Sequence, residues 1–265
     1  MTEYARNGLV GILPPQANAT VEAELGVLLP GDVGAMVSRL VSAEADPRAR
    51  LIDYLQDAGR ALRAFGSARP DVALFACTGS SYLVAAEVEQ AALSGFAFPV
   101  ISAAAAVNAA LDALDASRIA LVSPYPAWLT EACIEYWRRT GRRMVAVQSP
   151  AGDRSDTRRI YALSSADAGA ALHALDMSTA QAVLVTGTGM PSLAAIARAD
   201  RHRPILCSNL CLAWAAMCRL QGISPDRASL EPWLAGAASW HARLTARFPA
   251  LAEDARTPGG AGTGT

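Results

Sequence analysis

Short apolar, β-prone runs alternate with longer amphipathic stretches along nearly the whole chain, and this alternation admits few folds. The strand-like runs fall at 8–13, 34–40, 71–77, 99–102, 118–123, 144–148, 182–187 and 204–208. Helical patterns occupy 47–65, 82–93, 104–114, 126–140, 166–175, 193–199 and 210–220. Strands separated by helices of this length pair in parallel, because a parallel return needs a crossover of a dozen residues or more. Helices then cover both faces of the sheet, which is why the strand runs are apolar throughout. The plainest helix is 48–65, with Leu51, Leu55, Ala58, Leu62 and Phe65 on one face at spacings of three and four.

The order also echoes itself. Ala76-Cys77-Thr78-Gly79 closes the run 71–75, and Thr186-Gly187-Thr188-Gly189 closes the run 182–185. Overlaid, the two segments set Cys77 opposite Gly187, as two copies of one strand-end site with a thiol in only one. Parallel sheets bind ligands at the carboxyl ends of their strands. Asn18, Cys77-Thr78-Gly79-Ser80, Tyr125, Gly187-Thr188-Gly189 and Ser208-Asn209 all fall at such ends. The echo therefore implies two similar lobes with a site between them.

Composition narrows the class of ligand. Apolar residues make up 52% of the 265, charged residues 18%, and the net charge is −1, so a large core is available and bulk disorder is excluded. Basic residues cluster only as pairs, such as Arg138-Arg139, Arg142-Arg143 and Arg158-Arg159, which argues against nucleic acid or an anionic membrane as partner. No apolar run approaches the ~20 residues that cross a bilayer. Five cysteines (Cys77, Cys133, Cys207, Cys211, Cys218), odd in number and without CxxC spacing or a secretory leader, read as reduced thiols of a cytoplasmic protein.

Among these thiols Cys77 has a distinct context. A cysteine closing a buried strand commonly serves as a small core hydrophobe. Here it precedes Thr-Gly-Ser-Ser, whose backbone N–H groups at a helix start would lower a thiol pKa and bind an anion in the same place. Thr78-Gly79-Ser80-Ser81 and Thr188-Gly189 read as carboxylate cradles or as ordinary turn and cap chemistry. Tyr125, between two prolines at a strand end, is placed to donate a hydrogen bond to an oxyanion or to pack as a half-buried aromatic. His173, His202 and His241 are scattered without a second ligand at useful spacing, so no metal site is expected. No phosphate-binding GxxxxGK[ST] loop or GxGxxG dinucleotide turn occurs, and no cofactor is expected.

On these residues the chain resembles the aspartate/glutamate racemase superfamily, in its maleate cis-trans isomerase and arylmalonate decarboxylase branch. The matching segments span most of the chain: Gly11-Ile12-Leu13-Pro14-Pro15, Asn18-Ala19-Thr20-Val21-Glu22, Ala76-Cys77-Thr78-Gly79-Ser80, Tyr125, Met190-Pro191-Ser192-Leu193, and Ser208-Asn209 with Trp214. The resemblance implies two pseudo-symmetric flavodoxin-like α/β lobes with parallel sheets and the active site in the cleft between them. The first lobe is expected over 1–115 plus 210–250, the second over 116–209, and a disordered tail over 251–265. It further implies cofactor-free chemistry on a small carboxylate, and a homo-oligomer is compatible with it. Asn18, Thr78 and Tyr125 match positions that hold the substrate carboxylate or enediolate-like oxygens; Gly79, Ser80, Gly187, Thr188 and Asn209 complete the expected binding set. In maleate isomerases a cysteine at the Cys77 position attacks the double bond and a second cysteine, three residues before Met190, assists. This chain has Gly187 there. Arylmalonate decarboxylases carry the reverse pair, glycine first and the protonating cysteine second.

Three readings follow. Cys77 adds as nucleophile to a maleate-like alkene; or Cys77 is the sole acid that protonates an enediolate left by decarboxylation; or the lobes bind a small carboxylate without chemistry. A nucleophile is expected as thiolate at neutral pH, a proton donor as thiol.

Overall fold

Each of the eight apolar runs forms a strand, and the strands divide into two sheets of identical order. A computed structural model describes residues 3–152, 155–199, 202–236 and 240–253. Strands β1 (Leu9–Leu13), β2 (Gly34–Val37), β3 (Val72–Phe75) and β4 (Val100–Ser102) pair in the order β2-β1-β3-β4. Strands β5 (Arg118–Val122), β6 (Arg143–Gln148), β7 (Ala182–Val185) and β8 (Ile205–Cys207) pair in the order β6-β5-β7-β8. All pairs are parallel, and equivalent registers (Leu13 beside Phe75, Val122 beside Val185) bring the central strands of each sheet to a common carboxyl end. The central β3 and β7 are buried at every residue, while the edge strand β2 alternates half-buried and exposed, as expected for sheets covered on both faces.

The helices are α1 (Thr20–Leu28), α2 (Pro47–Arg63), α3 (Thr78–Tyr82), α4 (Ala86–Leu93), α5 (Ala103–Ala113), α6 (Ala127–Arg139), α7 (Ser165–Ala174), α8 (Leu193–Arg198), α9 (Ser208–Gln221), α10 (Arg227–Leu234), α11 (Trp240–Arg247) and α12 (Pro249–Glu253). Helix α2 starts where its sequence says it should: Asp46 accepts from the Ala49 N–H at 2.7 Å and Pro47 fills the first turn, where no N–H is needed. Its buried face includes Leu51, Tyr54, Leu55, Ala58 and Leu62, and also Arg50. The single helix expected over 82–93 is instead α3 and α4, broken at 83–85. All of α3 is buried, whereas α4 buries only Leu93, so one straight helix could not serve both surfaces. Helix α1 escaped the periodicity reading because its buried face carries a carboxylate, Glu24, among Val21, Leu25, Val27 and Leu28.

After β8 the chain crosses back: α9 packs on α1, α5, β3 and β4, α10 on α5 and α9, and α11 on α1 and α8. Residues 251–253 of the expected tail lie in α12, and 254–265 fall outside the described residues. No helix among the described residues is long and apolar enough to cross a membrane.

Candidate active site

In each sheet the strand order reverses between the two central strands, and crevices form at such reversals. Four chain segments leave these points, one after each of β1, β3, β5 and β7. They deliver Asn18, Cys77, Tyr125 and Thr188 to one narrow cavity. The cavity is shared between the two sheets, since Pro15, Asn18, Cys77, Thr78 and Gly79 line it from the first and Tyr125, Ile160, Tyr161, Thr188 and Gly189 from the second.

Hydrogen bonds lock the two halves together behind it. Asn18 uses Oδ1 to accept from the Val21 N–H (3.2 Å) and Nδ2 to donate to Thr188 Oγ1 (3.1 Å). Thr188 Oγ1 in turn donates to the Ala76 carbonyl at 2.8 Å, next to Cys77. Glu24 anchors the same loop from below. Its buried carboxylate accepts from the Ser192 N–H (2.6 Å), the Leu193 N–H (3.0 Å) and Asn209 Nδ2 (2.7 Å), and Asn209 also donates to the Thr188 carbonyl. Burial raises the pKa of Glu24 above the ordinary carboxylate value, against the pull of these donors.

Cys77 lies two residues beyond the end of β3, in extended conformation, at the position that precedes the first turn of α3. Only 4% of it is exposed. The Gly79 and Ser80 N–H groups and the Ser80 hydroxyl face the sulfur, as the sequence suggests, but they do not win. Burial pushes the thiol pKa up, the hydrogen bonds offset this only in part, and the charge of Glu89 adds to the rise. The expected lowering of the thiol pKa is therefore overturned: a five-residue helix contributes too little to offset desolvation of a thiolate. The pull of Ser80 is partial for a visible reason. Its Oγ lies 3.1 Å from Cys77 Sγ and 2.6 Å from the Leu51 carbonyl, so one hydroxyl proton is divided between two acceptors.

Tyr125 and Thr78 share a 2.6 Å hydroxyl contact across the cavity. Burial holds the Tyr125 phenol well above its ordinary pKa, so it stays a hydrogen-bond donor. Three residues of the expected binding set do not line the cavity. Ser80 sits behind Cys77, Asn209 behind Thr188, and Gly187 is covered. The backbone of Gly187 has φ +90°, and a Cβ built there meets Ile160 Cδ1 at 2.9 Å and Tyr125 Oη at 3.2 Å. The place of the second thiol is thus filled by Ile160 and the phenol. Gly187→Cys is expected to lose about 2–4 kcal/mol of stability, from a positive φ on a non-glycine residue and from overpacking. A melting curve several degrees below wild type, partly restored by Ile160→Ala in the double variant, checks this; an unchanged melting temperature would show that the loop relaxes freely.

Ile160 belongs to a 3-10 segment, Thr157–Ala162, that the sequence patterns did not reveal. It brings Thr157, Arg158, Ile160 and Tyr161 to the cavity, and α2 brings Arg50, Leu51 and Tyr54. One signal was available: Arg50 lies at helical spacing from Tyr54 and Ala58, and an arginine on an apolar face asks for a buried partner. That partner is Asp156, 2.7 Å away, with Thr157 Oγ1 at 3.2 Å. Tyr82 points away from the cavity to Thr186, its hydroxyl 2.7 Å from Oγ1, and Trp128 lies under the Arg48 guanidinium.

No family model matches the chain. A maleate isomerase of Nocardia farcinica is 30% identical over 207 residues, which cover 73% of this chain and 81% of that protein. Among solved structures, the maleate isomerase Iso of Pseudomonas putida S16 superposes with a TM-score of 0.73 at 23% identity, covering 80% of this chain and 92% of that one. The N. farcinica maleate cis-trans isomerase, as a cysteine-to-serine mutant with a covalently bound succinylcysteine intermediate, superposes with a TM-score of 0.68 at 24% identity, covering 81% and 93%.

Proposed function

Because the chain belongs to the maleate isomerase family of the aspartate/glutamate racemase superfamily, we propose that it isomerises a small cis-unsaturated dicarboxylate without a cofactor, through Cys77 alone. One observation carries the single-thiol mechanism. Among the described residues lining the cavity, Cys77 is the sole thiol, and the lining holds no imidazole, ammonium or carboxylate that could take its proton. A neutral thiol with no base beside it must hand its proton to the substrate.

The substrate's own carboxylate accepts that proton as sulfur bonds to the alkene carbon β to it. The π electrons move onto the newly formed acid as an enediolate with one oxygen protonated and one negative, and the former double bond becomes a single bond. Tyr125, Thr78 and Asn18 offer hydrogen bonds to the enediolate oxygens, where charge and electron density change most. After rotation the enediolate collapses to the acid, the C–S bond breaks, and the leaving thiolate recovers the proton, which restores the carboxylate. No carbon is protonated at any stage, so the missing second thiol is not needed. The covalent succinylcysteine in the N. farcinica enzyme supports attack by a cysteine of this fold on such a substrate.

The raised thiol pKa also favours a second reading, in which Cys77 protonates an enediolate after decarboxylation of an arylmalonate-like diacid. Proton NMR in D₂O separates the two. Maleate is expected to give fumarate without carbon-bound deuterium. A deuterated monoacid from a 2-aryl-2-methylmalonate, with no fumarate from maleate, would make the enzyme a decarboxylase. Silence on both substrates would sink both reactions.

A further inference from the structure

The cavity wall nearest solvent is cationic, which no sequence pattern revealed. Arg50 from α2 and Arg158 from the 3-10 segment both line the cavity that holds Cys77, and they share one carboxylate, Asp156. Their situations differ. The Arg50 side chain is 3% exposed and bonded through both terminal nitrogens: Nη2 donates to Asp156 and Thr157, Nη1 to the carbonyls of Glu44 and Ala45. The Arg158 side chain is 60% exposed, bonds Asp156 through Nη2 at 3.0 Å and Nε at 3.4 Å, and presents Nη1 without a partner among the described residues. Two guanidinium groups against one carboxylate leave one positive charge in excess at the rim.

We propose that Arg158 is the subsite for the second carboxylate of a dianionic substrate, with Arg50 and Asp156 fixing the segment that carries it. This deepens the isomerase reading and takes the bound anion to be its substrate. The inner end of the cavity supplies uncharged donors from Asn18, Thr78 and Tyr125, which suit one carboxylate next to the thiol. Sulfur must reach the alkene carbon, so the far carboxylate points outward to the rim. Geometry adds a second reason. During rotation about the new single bond one carboxylate stays in the buried cradle and the other swings. A buried guanidinium held through both terminal nitrogens, as Arg50 is, could not follow it. An exposed guanidinium on a flexible stem, with donors in a planar fork, holds the carboxylate before and after the swing.

Titration calorimetry with two unreactive ligands tests this apart from turnover: succinate, a dianion, and butyrate, a monoanion of similar size. Wild type is expected to bind succinate at least about tenfold more tightly than butyrate, the usual size of a charge-assisted bidentate contact. Arg158→Gln should bring the two within about threefold by weakening succinate alone, and Arg158→Lys should fall between, because charge remains and the fork is lost. Arg159→Gln, one residue along, is the control and should keep the wild-type preference. Retained butyrate binding shows that Arg158→Gln is folded. Equal affinity of wild type for both ligands, no succinate binding, or an Arg158→Gln variant with unchanged preference would each overturn the proposal. Because no reaction is followed, failure to form fumarate would sink the isomerase while leaving the dianion subsite to stand on its own result.

Discussion

Cys77→Ser is expected to abolish isomerisation, with kcat lowered by at least about 10³-fold, while the protein remains folded. A serine hydroxyl fits the site and can keep the contact to Ser80, but its far higher pKa and poorer nucleophilicity prevent addition to an alkene. Stability should change by only about 1 kcal/mol, since one buried sulfur is exchanged for oxygen in a site already lined by hydroxyls. Fumarate formation by NMR and a thermal melt check both halves. Turnover within tenfold of wild type would reduce Cys77 to a packing residue. The pH profile of the wild-type enzyme carries the same chemistry. Burial raises the folded thiol's pKa, so the proton that the substrate needs is present through neutral pH and is lost only as pH climbs past that raised value. kcat/KM should therefore stay level through about 8.5, the ordinary cysteine value, and fall only once pH passes the raised thiol pKa. A limb that rises through the ordinary cysteine range would mean that preformed thiolate attacks, and that the substrate does not take the proton.

Tyr125→Phe is expected to lower kcat by about 10²–10³-fold with little change in KM, the loss typical of one donor aimed at a developing oxyanion. The ring would keep its edge contact with Tyr82, whose centroid lies 6.3 Å away, so the variant removes the hydroxyl and little else. Thr78 Oγ1 would lose its 2.6 Å partner, at a cost of about 1 kcal/mol or more in a buried setting. Steady-state kinetics beside a thermal melt separates these effects. A raised KM with unchanged kcat would instead place Tyr125 in ground-state binding, and wild-type kinetics would remove it from the site.

Much of this was legible along the chain, and the unevenness has a physical pattern. Every strand was visible because parallel strands covered on both faces are apolar throughout, as β3 and β7 are. Asn18, Cys77, Thr78, Tyr125 and Thr188 were visible because parallel strands expose their reactive residues at one end. Two features were hidden. Helix α1 was masked by Glu24, whose partners lie about 170 residues away in Ser192, Leu193 and Asn209. The 3-10 segment was masked because its arginine pair looks like any solvated surface charge until Asp156 and Arg50 meet.

Local periodicity is enough to specify two parallel sheets, their repetition along the chain, and a lone thiol at one of two equivalent strand ends. All of these follow from residues a few positions apart. Folding adds three things that no such pattern holds: the thiol is kept neutral, Ile160 and the Tyr125 phenol occupy the place beside Gly187, and guanidinium groups rim the cavity. Each depends on desolvation or on contacts between segments about 30 to 110 residues apart, and neither burial nor long-range contact is encoded in any one stretch of the chain.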